Sequence, residues 1–517
     1  MLGSITLTSF RKTDIFVAKF NPASNQFVWA QRGGGDDDDF PTALTVSGTS
    51  VYVAGNYSSA VGTFGTIPLP SGASDIFVAK LTDAGSTASF VWALRAGSLD
   101  AYDSATALAV NGSSVYLAGY FGNSNAARST TSTAQFGAIT LASVDGDAFV
   151  AKLTDAGSTA SFVWAQQVDG SYDDAATALA VSGPNVYVAG YFGSAYGNQN
   201  FRTSTANFGP ISLTSAGEGD IFVAKLTDAG STSSFVWAQR AGGSNYDAAT
   251  ALAVSGTNVY VAGNFSTPAP YFFGSPMVSF GPIALTSAGT EDVFVAKLTD
   301  AGSTASFVWA QQAGGLYNDV ATALAVSGTN VYVAGYFTNS PANFGLTTLT
   351  GAGSQDVFVA KLTDAGSTAS FVWAQQAGGQ YYDHATALGI SGGGLYVAGN
   401  INSTRASFGP VSLINSNAAF SNIGFLATLS DGVVTATAAS RAPVPAQLFP
   451  SPAHGTATLR LPAGTALTPF TLTDALGRAV RHYPAPAGSE AVLDLQGLPA
   501  GLYLLRGTGP AQRLLVE

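Results

Sequence analysis

The stretch that decides the fold is residues 220–265, DIFVAKLTDAGSTSSFVWAQRAGGSNYDAATALAVSGTNVYVAGNF. It holds four runs dense in Val, Ile, Phe, Tyr, Trp and Ala: DIFVAKL, SFVWAQR, ATALAVS and NVYVAGNF. Gly, Asp, Asn and Ser separate them, the pattern of short strands joined by turns. TDAGSTSS and SGTN carry turn chemistry. No run sustains a 3.6-residue period, so the chain reads as all-β with little helix.

Outward from this stretch the same unit recurs. D-x-F-V-A-K begins at Asp14, Asp75, Asp147, Asp220, Asp292 and Asp356, and GFLATLS from Gly424 is a worn seventh copy. The mean spacing is about 68 residues, and self-similarity at a fixed period marks a repeat architecture. Four strands per unit and about seven units predict a β-propeller of four-stranded blades, an arrangement that leaves few strand edges free. A blade needs roughly 40–50 residues. The remainder falls between NVYVAG and the next D-x-F-V-A-K, in a longer segment carrying F-G-x-[IV]-x-L, as at Phe208, Phe280 and Phe408.

Residue size sets the expected order within a blade. The small residues of ATALAV suit the crowded centre, and the rings of FVWA suit the diverging rim. From inside to outside the strands are then ATALAV, NVYVAG, FVAKL and FVWA, and all six Trp, from Trp29 to Trp373, lie in the outer strand. In this phase the chain opens on the third and outer strands of an incomplete N-terminal blade. The expectation drawn from this is a truncated N-terminus.

Composition narrows the function. The net charge is −11, and charged residues are only 10%. No basic stripe exists, which excludes a nucleic-acid binder. Mean hydropathy is +0.24, yet no apolar run approaches the ~18 residues of a spanning helix, so no transmembrane segment is expected. There is no Cys, which excludes disulfides, thiolate metal sites and a cysteine nucleophile. His is confined to His384, His454 and His482. H-E-x-x-H and a Walker loop are absent. MLGSITLTSF lacks the basic and apolar regions of a signal peptide.

DAFVAKL, FVWAQQ and NVYVAGYF resemble the SBBP-type β-propeller repeat of bacterial secreted proteins, over about residues 3–440. The expected division is residues 1–440 for the propeller, 441–447 for a linker containing Pro443 and Pro445, and 448–517 for a second domain. Alternation in TATLRL, FTLTDALGRAV, AVLDLQGLPAGLYLLR and QRLLVE predicts a small antiparallel β-sandwich. This segment resembles the type A C-terminal sorting domain of the type IX secretion system. The resemblance is carried by Phe449-Pro450-Ser451-Pro452-Ala453, Asp474-Ala475-Leu476-Gly477-Arg478, Leu498-Pro499-Ala500-Gly501-Leu502-Tyr503 and Leu514-Leu515-Val516. Ser451 stands where the family usually has Asn. The resemblance implies export from a Gram-negative bacterium, the secretion machinery as partner of residues 448–517, and an extracellular or outer-surface location. Such cargo also carries an N-terminal export signal, in line with the expected truncation.

Candidate chemistry lies in the loops from outer to inner strands. Each of five carries a tyrosine and an aspartate: Tyr102 and Asp103, Tyr172 and Asp173, Tyr246 and Asp247, Tyr317 and Asp319, Tyr382 and Asp383. A ring of Tyr and Asp can bind sugars, Tyr by stacking and Asp by accepting from hydroxyls. The alternative is that Asp satisfies loop N–H groups and Tyr packs on the next blade; recurrence in nearly every blade favours that account. Asp36, Asp37, Asp38 and Asp39 form an acidic run that could hold Ca²⁺, although D-x-D-x-D-G spacing is lacking and a solvated loop is the simpler account. The repeated lysine, as at Lys152, lies three residues before an aspartate, which predicts a pair within one hairpin. His384 is a lone substitution. Tyr196, Asn198 and Asn200 in one insertion are displayable polar groups.

The reading is a secreted or cell-surface propeller, non-enzymatic, used in adhesion or in binding polysaccharide or protein. No cofactor is required on this reading, Ca²⁺ apart. The alternatives are a polysaccharide-degrading enzyme using loop Asp residues and a passive surface-layer protein.

Overall fold

The computed structural model describes residues 5–69, 75–98, 101–122, 131–194, 203–266, 277–339, 341–416, 422–430, 433–435, 447–450, 452–461, 469–475, 478–488, 490–506 and 512–517. The chain divides into two compact units, Met1–Ala439 and Ser440–Glu517. Among the described residues every regular element is a strand. None contains a helix long and apolar enough to cross a membrane.

The first unit is a propeller of repeated antiparallel sheets. The second of these shows the plan: strands Asp39–Ser47, Ser50–Tyr57, Asp75–Asp83 and Ala88–Ala96 lie side by side in chain order. Five more sheets follow it, with inner strands Ser104–Asn111, Asp173–Ser182, Ala248–Ser255, Asp319–Ser327 and Asp383–Ser391. Ahead of them, Ile15–Asn21 pairs with Gln26–Gly35 as the third and outer strands of the incomplete blade. The size argument for strand order holds. Inner strands of successive blades adjoin one another and are linked by a threonine: Thr177 Oγ1 donates to the Ala249 carbonyl at 2.6 Å, and Thr250 to Ala321 at 2.7 Å.

Faces alternate as strand geometry requires. In Asp220–Asp228, Ile221, Phe222, Val223, Ala224 and Leu226 are all at 0% exposure because both sheet faces are covered by neighbouring blades. One cluster joins Tyr187 and Val223 of one blade to Val259, Val261 and Phe294 of the next. Gly263 marks a close backbone approach within a blade. A Cβ there would lie 2.0 Å from the Ala248 carbonyl oxygen, where the inner strand bulges.

The lysines depart from the hairpin expectation. Lys80, Lys152, Lys225 and Lys297 pair not with the aspartate three residues on but with Asp155, Asp228, Asp300 and Asp364 of the following blade, at 2.6–2.7 Å. The side chain leaves the sheet face perpendicular to the strand, so it meets the adjacent blade rather than its own hairpin turn.

The long insertions also work between blades. Thr205–Phe208 and Ile211–Thr214 form a hairpin that pairs back onto Ala160–Gly170, the outer strand of the preceding blade. Val278–Phe280 and Arg405–Phe408 do the same. The motif phenylalanine is the anchor: Phe208 is at 0% exposure, its ring centroid 5.0 Å from Phe222 and 5.5 Å from Phe235.

The second unit is a small β-sandwich. Gln447–Phe449, Thr456–Arg460 and Glu490–Asp494 form one sheet; Ala479–Tyr483, Phe470–Asp474, Gly501–Arg506 and Gln512–Val516 form the other. Leu459, Leu472, Leu493, Leu505, Leu514 and Val516 fill the space between them.

Candidate functional site

The loops from outer to inner strands separate the paired Tyr and Asp. Asp103, Asp247, Asp319 and Asp383 open the inner strands and are buried. Asp247 accepts from the Gly243 N–H at 2.7 Å and the Ser266 N–H at 2.9 Å. Asp319 accepts from Gly315 at 2.6 Å and Thr338 at 3.0 Å, and Asp383 from Gly379 at 2.7 Å and Asn402 at 2.9 Å. Asp103 accepts from the Ser98 and Gly122 N–H groups. Each carboxylate thus ties the end of one blade's outer strand to the end of the next blade's second strand. In the loop of Tyr172 that position belongs to Asp174, which accepts from Gly193 at 2.7 Å, while Asp173 beside it is half-buried.

A second set of buried carboxylates faces the first, and sequence reasoning missed its role. These are the aspartates that open the third strands, Asp147, Asp220, Asp292 and Asp356 among them. Gly314 shows the proximity. Its φ is +152°, and a Cβ there would lie 2.0 Å from Asp292 Oδ1 and 2.8 Å from Asp319 Oδ2. Only glycine leaves both carboxylates room at that point. Arg32, Arg95 and Arg240 pair with Asp14, Asp75 and Asp220 in their blades. Gln167, Gln312 and Gln376 stand in the equivalent place elsewhere and bond instead to backbone at Ala142, Thr286 and Thr350. The visible signal was the invariant Asp before each F-V-A-K strand together with the Arg/Gln alternation. Burial pushes Asp147 and Asp319 up to about 7, and Asp220, Asp292 and Asp356 up to about 6.

The tyrosines are the displayed part of these loops. Tyr102 is 69% exposed, Tyr382 51% and Tyr317 47%, the last beside exposed Leu316. Tyr172 and Tyr246 are half-buried, and Tyr246 meets Tyr191 edge-on at 5.3 Å.

In the acidic run the four side chains diverge. Asp36 accepts from the Val61 N–H at 3.1 Å, Asp37 pairs with Lys12 at 2.6 Å, and Asp38 accepts from the Thr13 N–H at 3.0 Å. Asp39 is buried and accepts from Gly35 and Ser58 at 2.9 Å, as Asp247 does in its loop. Among the described residues no three His, Asp or Glu side chains gather to hold a metal ion. His384 Nε2 lies 2.5 Å from Gln355 Oε1 with its ring 4.4 Å from Tyr336, and burial lowers its pKa. Tyr196, Asn198, Asn200 and Ser451 lie outside the described residues.

No family model matches the sequence, and no curated protein matches it. Sqt1 from Chaetomium thermophilum is similar over 70% of this chain and 79% of its own, at 10% identity and a TM-score of 0.32. The chain is a repeat β-propeller followed by a small β-sandwich.

Proposed function

We propose that the propeller is a non-enzymatic binding module of a secreted or cell-surface protein, and that its ligand is a polysaccharide or surface protein held on the tyrosine-bearing loops. The observation that carries this reading is the division of labour within those loops. The aspartates are consumed by backbone donors, whereas Tyr102, Tyr317 and Tyr382 present aromatic faces to solvent. An exposed phenol ring with a polar tip suits stacking on a sugar ring. The same division weighs against a polysaccharide-degrading enzyme using these aspartates, because the aspartates with raised pKa values lie at 0–1% exposure, out of reach of a substrate.

The C-terminal sandwich is proposed to be the type A sorting domain of the type IX secretion system. Its motif residues support this by their places in a compact fold: Ala453, Leu514 and Val516 are core, and the Tyr503 hydroxyl donates to the Pro499 carbonyl at 2.7 Å. The finer resemblance of the blades to the SBBP repeat rests on the motifs quoted above.

A glycan array probed with the full chain, with and without Ca²⁺, tests the binding reading. Selective binding that is lost in a Tyr102→Ala, Tyr317→Ala, Tyr382→Ala variant of unchanged melting temperature supports it. A silent array with folded protein overturns the carbohydrate reading. Ca²⁺ dependence abolished by Asp36→Asn, Asp37→Asn would assign the ion to the acidic run.

A further inference from the structure

The buried carboxyl pairs between blades differ in the residue set against them. In each blade one outer-strand position lies opposite the Phe that follows the third-strand aspartate by two places. It holds Arg95 opposite Phe77 and Arg240 opposite Phe222, but Gln312 opposite Phe294 and Gln376 opposite Phe358. The arginines pair with Asp75 and Asp220. The glutamines bring no charge. At their junctions Asp292, Asp319, Asp356 and Asp383 accept from backbone N–H groups, and no cation of the described residues pairs with them.

At the Gln312 junction the carboxylate oxygens converge. Asp292 is 1% exposed and Asp319 0%. Asp292 Oδ2 accepts from the Ala288 N–H, Asp319 Oδ1 from Thr338 and Asp319 Oδ2 from Gly315. Asp292 Oδ1 is buried and accepts from none of the described residues. It is aimed toward Asp319 Oδ2: the point where a Cβ on Gly314 would fall lies within 2.8 Å of both oxygens. The Gln376 junction repeats this. Asp356 Oδ1 is buried without a donor and faces Gly378, while the adjoining Gly379 N–H donates to Asp383 at 2.7 Å. Asp220 Oδ1 also lacks a donor, but its other oxygen carries Arg240. The Gln167 junction is arranged differently, since the Gly170 N–H takes Asp147 Oδ1. Two buried carboxylates with no counter-charge are costly, and removing that cost takes a positive charge between them.

We propose that the Gln312 and Gln376 junctions are metal sites, each holding one hard divalent cation, Ca²⁺ by charge and donor set, between Asp292 and Asp319 and between Asp356 and Asp383. Carboxylate oxygens are the donors such an ion prefers, and two of them match its charge. Water and main-chain carbonyls complete its shell. In the Arg240 junction the guanidinium does the ion's work. Asp319 and Asp383 stand at the root of the loops that display Tyr317 and Tyr382, so the ion also fixes those loops. The sites are separate from the acidic run at Asp36, and the inference is independent of what the loop face binds.

The test uses the full chain, stripped with EDTA and titrated with CaCl₂ at about pH 8. Asp292, Asp319 and Asp356 are raised only to about 6, 7 and 6, so protons have left them there. Equilibrium dialysis with radioactive calcium counts bound ions, and thermal melts follow stability. Expected is saturable binding that raises the melting temperature. The double variant Gln312→Arg, Gln376→Arg supplies the guanidinium, as Arg240 does. It should bind two fewer ions and melt higher in EDTA than the parent chain. Arg240→Gln should add one ion. Absence of bound Ca²⁺ in the folded chain would overturn the proposal and leave these oxygens to water or a shared proton. An ion count unchanged by the double variant would overturn it too, placing the ion elsewhere, as in the acidic run. If the double variant does not fold, Arg240→Gln decides, and an unchanged count again overturns the proposal.

Discussion

Lys152 Nζ lies 2.6 Å from Oδ2 of Asp228, a residue of the next blade and 76 positions further along the chain. The same oxygen takes the Tyr116 hydroxyl at 2.6 Å, while Oδ1 takes Trp164 Nε1 at 3.1 Å and the Gly230 N–H at 2.9 Å. Burial alone would push this carboxyl up; Lys152 and the Tyr116 and Trp164 donors outweigh it and hold the pKa below the ordinary range. One carboxylate thereby joins three strands of one blade to the third-to-outer turn of the next. Both partners are less than a tenth exposed.

Removing that carboxylate leaves a buried ammonium unpaired. Asp228→Ala should therefore lower the stability of the propeller by about 3–5 kcal/mol, read as a shift in the denaturation midpoint. Glu490→Ala breaks the exposed Arg460 pair in the sandwich, and should cost less than about 1 kcal/mol. Equal effects from the two substitutions would contradict the interblade lock.

The raised carboxyls give an unusual pH dependence. Asp147 and Asp319 near 7, and Asp220, Asp292 and Asp356 near 6, hold protons that the unfolded chain releases near pH ~4. Between about pH 4 and 7 the folded state binds more protons, so stability falls as pH rises through that window and levels off above it. The depressed carboxyls Asp155, Asp228, Asp300 and Asp364 act oppositely. Their contribution is present above about pH 4 and is lost as pH falls through their folded values. The melting temperature should peak near pH 4–5 and decline toward pH 8. A steady rise from pH 5 to pH 8 would count against this balance.

Gly263 is required by backbone approach rather than by an unusual φ. A methyl group there meets the Ala248 carbonyl oxygen at 2.0 Å, and backbone cannot rotate away as a side chain can. Gly263→Ala should destabilise by about 1–3 kcal/mol or more. Gly256→Ala, where a Cβ has nothing within 4 Å but φ is +60°, should cost only about 1–2 kcal/mol of conformational strain. Thermal melts of the two variants compare them directly.

Tyrosine and aspartate of one loop should separate in their effects. Tyr382→Ala removes a half-exposed ring and should leave the melting temperature within about 1 °C, since surface substitutions stay near ±0.5 kcal/mol. Asp383→Ala orphans the Gly379, Asn402 and Ser403 N–H groups and should cost about 1–3 kcal/mol for each donor left buried without an acceptor. Ligand binding should follow the tyrosine and not the aspartate. Loss of binding on Asp383→Ala without loss of stability would reverse these roles.

Much of the architecture was legible in residues 220–265. Strand number, the inner place of ATALAV, the rim place of FVWA and the incomplete first blade all follow from alternation, side-chain size and repeat phase. Those are properties of a residue and its near neighbours. The partner of Lys152 was not legible: Asp155 is near in the chain, but the side chain points across the sheet to Asp228. Nor was the use of the F-G-x-[IV]-x-L segments, which extend the preceding sheet through pairs such as Ala241 with Phe280.

The sequence by itself determined the blade. Each four-stranded unit is specified by local alternation, turn residues and the size gradient from Ala to Trp. Tertiary structure alone decided which carboxylates face one another, which lysine meets which aspartate, and which loop tyrosines reach solvent. Those outcomes depend on how one sheet face stacks on the next, a distance that separation along the chain does not encode.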